Sequence, residues 1–393
     1  MSVLNVEFLR VFGESKAKTA LVQSVTTGTL NIAGFICGLC VDKYGVRKMG
    51  MCGGLLAFLS ASFFATSIPY LIVTIGVVTG FGFSLAFVSG MKSVGEYFSG
   101  KAKLIAIAFT GTGSTCGAIT LPFLLDFLIN AYGWRGCLLI MTGLVGNIIC
   151  FFSVCESLSN HRQINAKTIR IYMTGNSGSR NKQTTYQTKL KSLVRNCVFI
   201  MFTFGISLTL SAFGSALVYL VEFLQTKGYE RHEALLLYTY MSVSNTFGRL
   251  LPGMCTLIPQ MKVLAISVIF TSMSTFSTAC LPSATMYYQH VFLVCVFGMT
   301  IGCNDTCMSM TTMELVGLEN YAVGLGILMT VAGLSCICAG TVFGWLVDVT
   351  GSYGASYYSV AAAHATALCL FILAAVLQKS QRRRVSSIDK LPA

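Results

Sequence analysis

Long apolar runs alternate with short polar stretches along most of the chain. A helix needs roughly 20 mainly apolar residues to cross a bilayer, and eleven runs are long enough. Five precede a polar stretch near the middle of the chain, and six follow it. They cover residues 19–41, 49–68, 70–91, 104–126, 136–155, 197–223, 234–258, 262–281, 286–313, 321–347 and 355–378. The pattern predicts an all-α membrane protein with eleven complete spans.

The first residues predict part of a further span. The segment Met1–Phe12 is amphipathic, but a helix of that length rises only ~18 Å, against a hydrocarbon core of ~30 Å. We interpret the segment as the outer end of a truncated first helix. Counting it, the pattern predicts six spans on each side of the central polar stretch.

Composition indicates that lipid, and not water, surrounds these helices. Only 10% of the residues are charged and 54% are hydrophobic, whereas soluble domains carry about 25% charged residues. In lipid the backbone polar groups must be satisfied within the helices themselves. The net charge of +13 could suggest nucleic acid as a partner. The basic residues, however, form short clusters between apolar runs, so we expect a lipid bilayer as the partner and no nucleic acid.

The distribution of basic residues predicts the orientation. With the central stretch placed inside, 20 of the 27 Lys and Arg residues fall on the inner side, six fall outside and Arg249 lies within a span. Because cytoplasmic loops carry the excess of Lys and Arg, both ends of a complete chain are expected in the cytoplasm. The predicted organisation is an N-terminal transmembrane half at 1–156, a basic cytoplasmic linker at 157–196, a C-terminal half at 197–378 and a cytoplasmic tail at 379–393.

One inner turn carries a recognisable loop motif. Its sequence, Gly38-Leu-Cys-Val-Asp42-Lys43-Tyr-Gly45-Val-Arg47, resembles the major facilitator signature G-x-x-x-D-R-x-G-x-R, with Lys43 in place of the usual Arg. Gly45 permits a tight turn, Asp42 can pair with a basic partner, and Arg47 is expected to face the anionic leaflet. The alternative is an ordinary basic turn on the cytoplasmic side.

Further segments extend the resemblance to most of the chain. They are Gly95-Glu-Tyr97-Phe98, Ala131-Tyr-Gly133-Trp134-Arg135-Gly136 and Gly344-Trp345-Leu-Val-Asp348-Val-Thr-Gly351. In this order and spacing they resemble the monocarboxylate transporter family, so that the chain is similar to solute carrier family 16. This family is part of the major facilitator superfamily. The resemblance implies two six-helix halves around a central cavity, with alternating access by rocking.

Arg249 is the clearest candidate for binding a solute. A charge at mid-membrane costs about 2.5–3.5 kcal/mol on insertion scales, so it suggests a function, and a guanidinium can hold a carboxylate with two parallel hydrogen bonds. Proton-coupled members of the family carry an Asp four residues before such an Arg, where this chain has Asn245. An amide cannot ionise, which puts that proton step in doubt, but Asn245 is still expected to bind substrate beside Arg249. The alternative is an arginine that only packs against carbonyl groups.

Asp305 is the second charge within a predicted span, and the family does not usually place an acid there. The eighth and tenth spans both border the cavity in the implied fold. We therefore expect Asp305 to belong to the substrate-binding site, to pair with Arg249 when no anion is bound and to be the residue that couples transport to protons. The alternative is a polar residue that only packs.

The sequence favours a carrier and not an enzyme. It contains no catalytic triad, phosphate-binding loop or zinc-ligand spacing, so we expect no catalytic residues, metal or cofactor. The resemblance implies secondary transport of a monocarboxylate or related small organic anion across the plasma membrane by facilitated diffusion, exchange or proton symport. It also raises a single-span accessory glycoprotein as a partner, as in some family members. The alternative is a transport-inactive or truncated member that acts in binding, sensing or interaction.

Overall fold

All regular structure in the described part of the chain is helical, as the apolar runs predicted. The computed structural model describes residues 7–8, 10–13, 16–60, 67–155, 191, 193, 195–258 and 261–388. Most of the predicted linker and the last residues of the tail lie outside this range. So does much of the segment interpreted as a truncated first helix, which stays a prediction.

Ten helices account for nearly all of the described residues. We label them α1 to α10 in chain order: α1 Lys16–Ile32, α2 Gly34–Tyr44, α3 Val46–Leu59, α4 Ile68–Tyr97, α5 Gly100–Val154, α6 Cys197–Thr226, α7 Arg231–Cys255, α8 Val263–Cys280, α9 Tyr287–Thr350 and α10 Tyr353–Ile388. Eight residues of α4, Ile72–Thr79, are π-helical.

Two of these helices are each bent at a single glycine. At 1.5 Å per residue, the 55 residues of α5 are far too long for one bilayer crossing. Gly133 interrupts α5 with φ 67°, and Gly317 interrupts α9 with φ 72°. Glycine adopts positive φ without the penalty that a Cβ atom causes. The two segments of each bent helix coincide with two predicted spans.

The apolar content of the helices agrees with a membrane protein. Within the described residues, six helices are long and apolar enough to cross a bilayer, or up to seven if the bent pair Leu21–Ile32 and Gly34–Tyr44 is one span. All eleven predicted spans overlap helical segments. The number is smaller partly because α9, which contains two of the predicted spans, counts as one helix, and because α3 has only 14 residues.

The first of two compact units comprises Met1–Ser99, Thr120–Arg195 and Leu318–Ile327. Its core includes Phe8 and Trp134, whose rings meet edge to face at 5.9 Å. At another point α2 approaches α9 so closely that a Cβ atom on Gly38 would overlap the backbone of Ala322. Small residues allow this kind of backbone approach in membrane helices.

The second unit comprises Gly100–Ile119, Asn196–Gly317 and Leu328–Ala393. Its largest core cluster contains Phe223 and Tyr357, with ring centroids 4.5 Å apart. The hydroxyl of Tyr357 donates to the carbonyl of Ala216 at 2.8 Å, which satisfies a fully buried phenol. The predicted boundaries of the two halves stay a prediction.

Candidate functional site

The site begins with an unusually close crossing of α7 and α9 in the second unit. Three glycines lie at this crossing, and a Cβ atom on any of them would overlap the backbone of the facing helix: Gly248, Gly298 and Gly302. Two side chains of α9 then bond to the backbone of α7. Cys303 Sγ donates to the Gly248 carbonyl at 3.1 Å, and Thr306 Oγ1 donates to the Arg249 carbonyl at 3.0 Å. The register of the two helices is thereby defined.

This register brings Arg249 and Asp305 together. Arg249 Nη2 donates to Asp305 Oδ2 at 2.7 Å, a short distance typical of a charge-assisted bond. Their side chains are 19% and 22% exposed, respectively, so the pair is largely buried but still accessible to a solute. Opposite charges in contact reduce the cost of keeping each within the membrane. The contact that we expected between these residues is present.

Asn245 lies one helical turn before Arg249 and uses both ends of its amide. Its Oδ1 accepts from Arg249 Nε at 3.3 Å, and its Nδ2 donates to the Gly298 carbonyl at 3.2 Å. An ionised carboxylate could accept from Arg249 but could not donate to Gly298. The amide at position 245 therefore fits the crossing in a way that an aspartate would not. A direct role for Asn245 in substrate binding stays a prediction.

The guanidinium retains unused donors. Besides the bonds from Nε and Nη2, Arg249 Nη1 donates to the Gly111 carbonyl on α5 at 3.5 Å, the longest of the three. A guanidinium has five N–H groups. Among the residues that the structure describes, two of these N–H groups of Arg249 have no acceptor. They are available to the oxygens of a carboxylate.

A buried polar contact joins α8 to α9 at the residue that precedes Asp305. Thr271 Oγ1 donates to Asn304 Oδ1 at 3.3 Å, and both residues are fully buried. The Nδ2 group of Asn304 has no hydrogen-bond acceptor in the described part of the chain. Sequence reasoning did not assign roles to Asn304, Thr306 or Gly111. The polar run Asn304-Asp305-Thr306 within an apolar span was the signal that could have pointed to the first two.

Asp42 of the loop motif is paired with a basic residue in the first unit. Lys92 Nζ on α4 contacts Asp42 Oδ1 at 3.3 Å, and the two side chains are only 10% and 7% exposed. Gly45 separates α2 from α3 with φ 88°, consistent with the turn predicted for it. Arg47 is exposed, and its contact with the anionic leaflet stays a prediction.

Comparisons with known proteins agree on one family. A family model described as Major Facilitator Superfamily matches residues 1–340. Monocarboxylate transporter 12 of Mus musculus is 27% identical over 383 residues, which cover 91% of this chain and 77% of the relative. Monocarboxylate transporter 13 of Rattus norvegicus is 27% identical over 358 residues, covering 90% and 79%. Monocarboxylate transporter 14 of Homo sapiens is 24% identical over 424 residues, covering 91% and 83%.

Solved structures show the same fold. The fucose:proton symporter FucP of E. coli matches with a TM-score of 0.73 at 14% identity, over 95% of this chain and 93% of that one. The proton:xylose symporter XylE matches with a TM-score of 0.67 at 17% identity, over 96% and 90%. Likeness at these identities establishes the fold and carries no information about the solute.

Proposed function

This chain belongs to the Major Facilitator Superfamily of membrane transporters, and we propose that it carries a monocarboxylate or related small organic anion across the plasma membrane. Arg249 binds the carboxylate of that anion in this proposal. The observation that supports it is the contact of Arg249 with Asp305 at 2.7 Å, together with the unused N–H groups of the guanidinium. The relatives named monocarboxylate transporters support the choice of solute class.

Asp305 serves as an internal counter-ion in the absence of solute. An arriving carboxylate competes with Asp305 for Arg249, since both are anionic acceptors for the same donors. If the solute displaces Asp305 from Arg249, the carboxylate of Asp305 is left unpaired in a poorly hydrated place. The protonated, neutral form of a carboxyl group is favoured there. Proton uptake by Asp305 then accompanies anion binding, which gives proton symport. If Asp305 keeps its contact with Arg249, the same site supports facilitated diffusion or exchange.

Uptake into proteoliposomes tests the proposal. The purified protein is reconstituted and supplied with a panel of labelled monocarboxylates that includes lactate and pyruvate. We expect Arg249→Gln to lower the rate of uptake at least ~10-fold, because a neutral amide cannot replace a charge-assisted pair of hydrogen bonds. Arg135→Gln is the matched control, since Arg135 is exposed and stacks on Trp134 at 5.0 Å. Full uptake by the Arg249→Gln protein would contradict the proposal.

Orientation and partners are also part of the proposal. Both ends of a complete chain lie in the cytoplasm, and a single-span accessory glycoprotein is a partner of the carrier at the plasma membrane. An epitope tag at the C-terminal end should be stained only after cells are permeabilised. A tag that antibodies reach in intact cells would refute the proposed orientation. Full delivery of the carrier to the surface of cells that lack such glycoproteins would show that it needs no such partner.

A further inference from the structure

Gly111 on α5 faces the guanidinium of Arg249 directly. A Cβ atom built on Gly111 would lie 3.5 Å from Thr306 Oγ1 and 3.8 Å from both Cδ and Nη1 of Arg249. These distances correspond to ordinary van der Waals contact. The missing side chain therefore leaves room immediately beside the charged group that the proposed function uses.

Neither backbone conformation nor helix packing requires a glycine at position 111. Its φ is not positive, and a Cβ atom would fit without overlap, in contrast to Gly248 and Gly302, where it would meet facing backbone. Within a helix, glycine is less favourable than alanine by about 1 kcal/mol. The one local consequence of glycine here is open space next to Arg249 and Thr306.

In the proposed complex of Arg249 with a carboxylate, the groups attached to that carboxylate lie close to this space. Carboxylate oxygens approach a guanidinium nitrogen to about 2.8 Å, so the carboxyl carbon and the carbon attached to it occupy the next shell of atoms. A methyl group at position 111, in contact with Nη1, would occupy part of that shell. It would conflict with substituents on the carbon that bears the carboxylate, and much less with the carboxylate itself.

We propose that Gly111 determines specificity by admitting monocarboxylates that are branched at the carbon next to the carboxylate. This inference rests on the proposed role of Arg249 as the carboxylate-binding residue. It adds the class of acid that the site accepts and the residue that sets the limit.

Three hydroxy acids of rising bulk provide the test. Glycolate, lactate and α-hydroxyisobutyrate share a carboxylate and a hydroxyl group, and each carries one more methyl group than the last on the carbon between them. Half-saturation concentrations are measured for proteoliposome uptake, and binding is measured in parallel as protection of the detergent-purified protein against heat. We expect Gly111→Ala to raise the half-saturation concentration of α-hydroxyisobutyrate relative to that of glycolate by about 10-fold, the usual scale for one methyl group in a pocket.

Gly113→Ala is the matched control on the same helix. No described atom lies within 4 Å of a Cβ atom built on Gly113, and both substitutions give the helix the same gain in propensity. We expect the Gly113→Ala protein to keep the wild-type ratio, and Gly111→Val to shift the ratio further than Gly111→Ala.

Two results would overturn the inference. If Gly111→Ala and Gly111→Val leave the ratio at its wild-type value in both measurements while Arg249→Gln abolishes uptake and protection, Gly111 has no role in specificity and the carboxylate site stands. If Arg249→Gln leaves uptake and protection of all three acids intact, the carboxylate site itself is wrong and the inference falls with it.

Discussion

The side chain of Asn245 ties α7 to α9 by donating from Nδ2 to the carbonyl of Gly298 at 3.2 Å. It lies at the level of the charge pair, because its Oδ1 accepts from Arg249. Asn245 is 8% exposed, so an unsatisfied polar atom there is costly. The relationship explains how an amide serves at a position where proton-coupled members of the family carry an acid.

Asn245→Asp should therefore destabilise the protein at neutral pH. The ionised carboxylate faces the Gly298 carbonyl without a donor, and we expect a loss of about 1–3 kcal/mol in the free energy of unfolding. When the introduced carboxyl group is protonated it can donate again, so stability present at mildly acidic pH should be lost as pH rises. Thermal unfolding in detergent at both pH values measures this. Equal losses at the two pH values would contradict the explanation.

Asp305→Asn should remove proton coupling while retaining the site. Asparagine still accepts from Arg249 but cannot ionise. We expect lactate uptake to stop responding to an inward proton gradient, while exchange of internal for external lactate continues. Asp126→Asn is the control, since Asp126 is exposed on α5. An unchanged response to the gradient in the Asp305→Asn protein would remove the proposed role of this residue.

Lys92 and Asp42 should show energetic coupling. Removing one member of a buried ion pair weakens the compensation of the charge that remains, which costs up to about 3–5 kcal/mol. We expect Lys92→Met and Asp42→Asn each to lower the free energy of unfolding, and the double variant to lose less than the two losses added. A double-mutant cycle on the protein in detergent measures the coupling free energy between the two residues. Strictly additive losses would mean that the 3.3 Å contact contributes little.

Gly302→Ala should disrupt the crossing that forms the site. Its Cβ atom would overlap the backbone of Asn245 and approach Arg249 N to 3.1 Å, and packed membrane helices cannot separate without losing contacts. We expect little monodisperse protein on size-exclusion chromatography. Gly113→Ala, which meets no described atom, should elute like the wild type. A normal elution profile for Gly302→Ala would show that α7 and α9 can move apart enough to accommodate the added methyl group, and would contradict this prediction.

Much of the fold could be predicted from the sequence. The apolar runs indicated the helices, and the loop motif at Asp42 and Gly45 indicated the superfamily, which the family match confirms. The resemblance to monocarboxylate transporters is likewise confirmed by the relatives. The bends at Gly133 and Gly317 could not be separated from ordinary loops, because the sequence does not show that a single glycine with positive φ interrupts an otherwise continuous helix.

The candidate site could be predicted only in part. Arg249 and Asp305 were visible because a charge in an apolar span is costly and therefore conspicuous. The donor role of Asn245 towards Gly298 and the approach of Gly111 were not visible. Both depend on how closely particular backbones pass each other, which hydropathy does not encode.

The sequence by itself determined that this chain forms membrane-spanning helices and which charges those helices carry. The reason is local: the length and polarity of a segment decide whether it is more stable in lipid or in water. Only the tertiary structure decided that the guanidinium of Arg249 meets Asp305 and the Gly111 carbonyl. These two groups lie on other helices, far from Arg249 along the chain, and only the packing of the helices against each other brings them into contact.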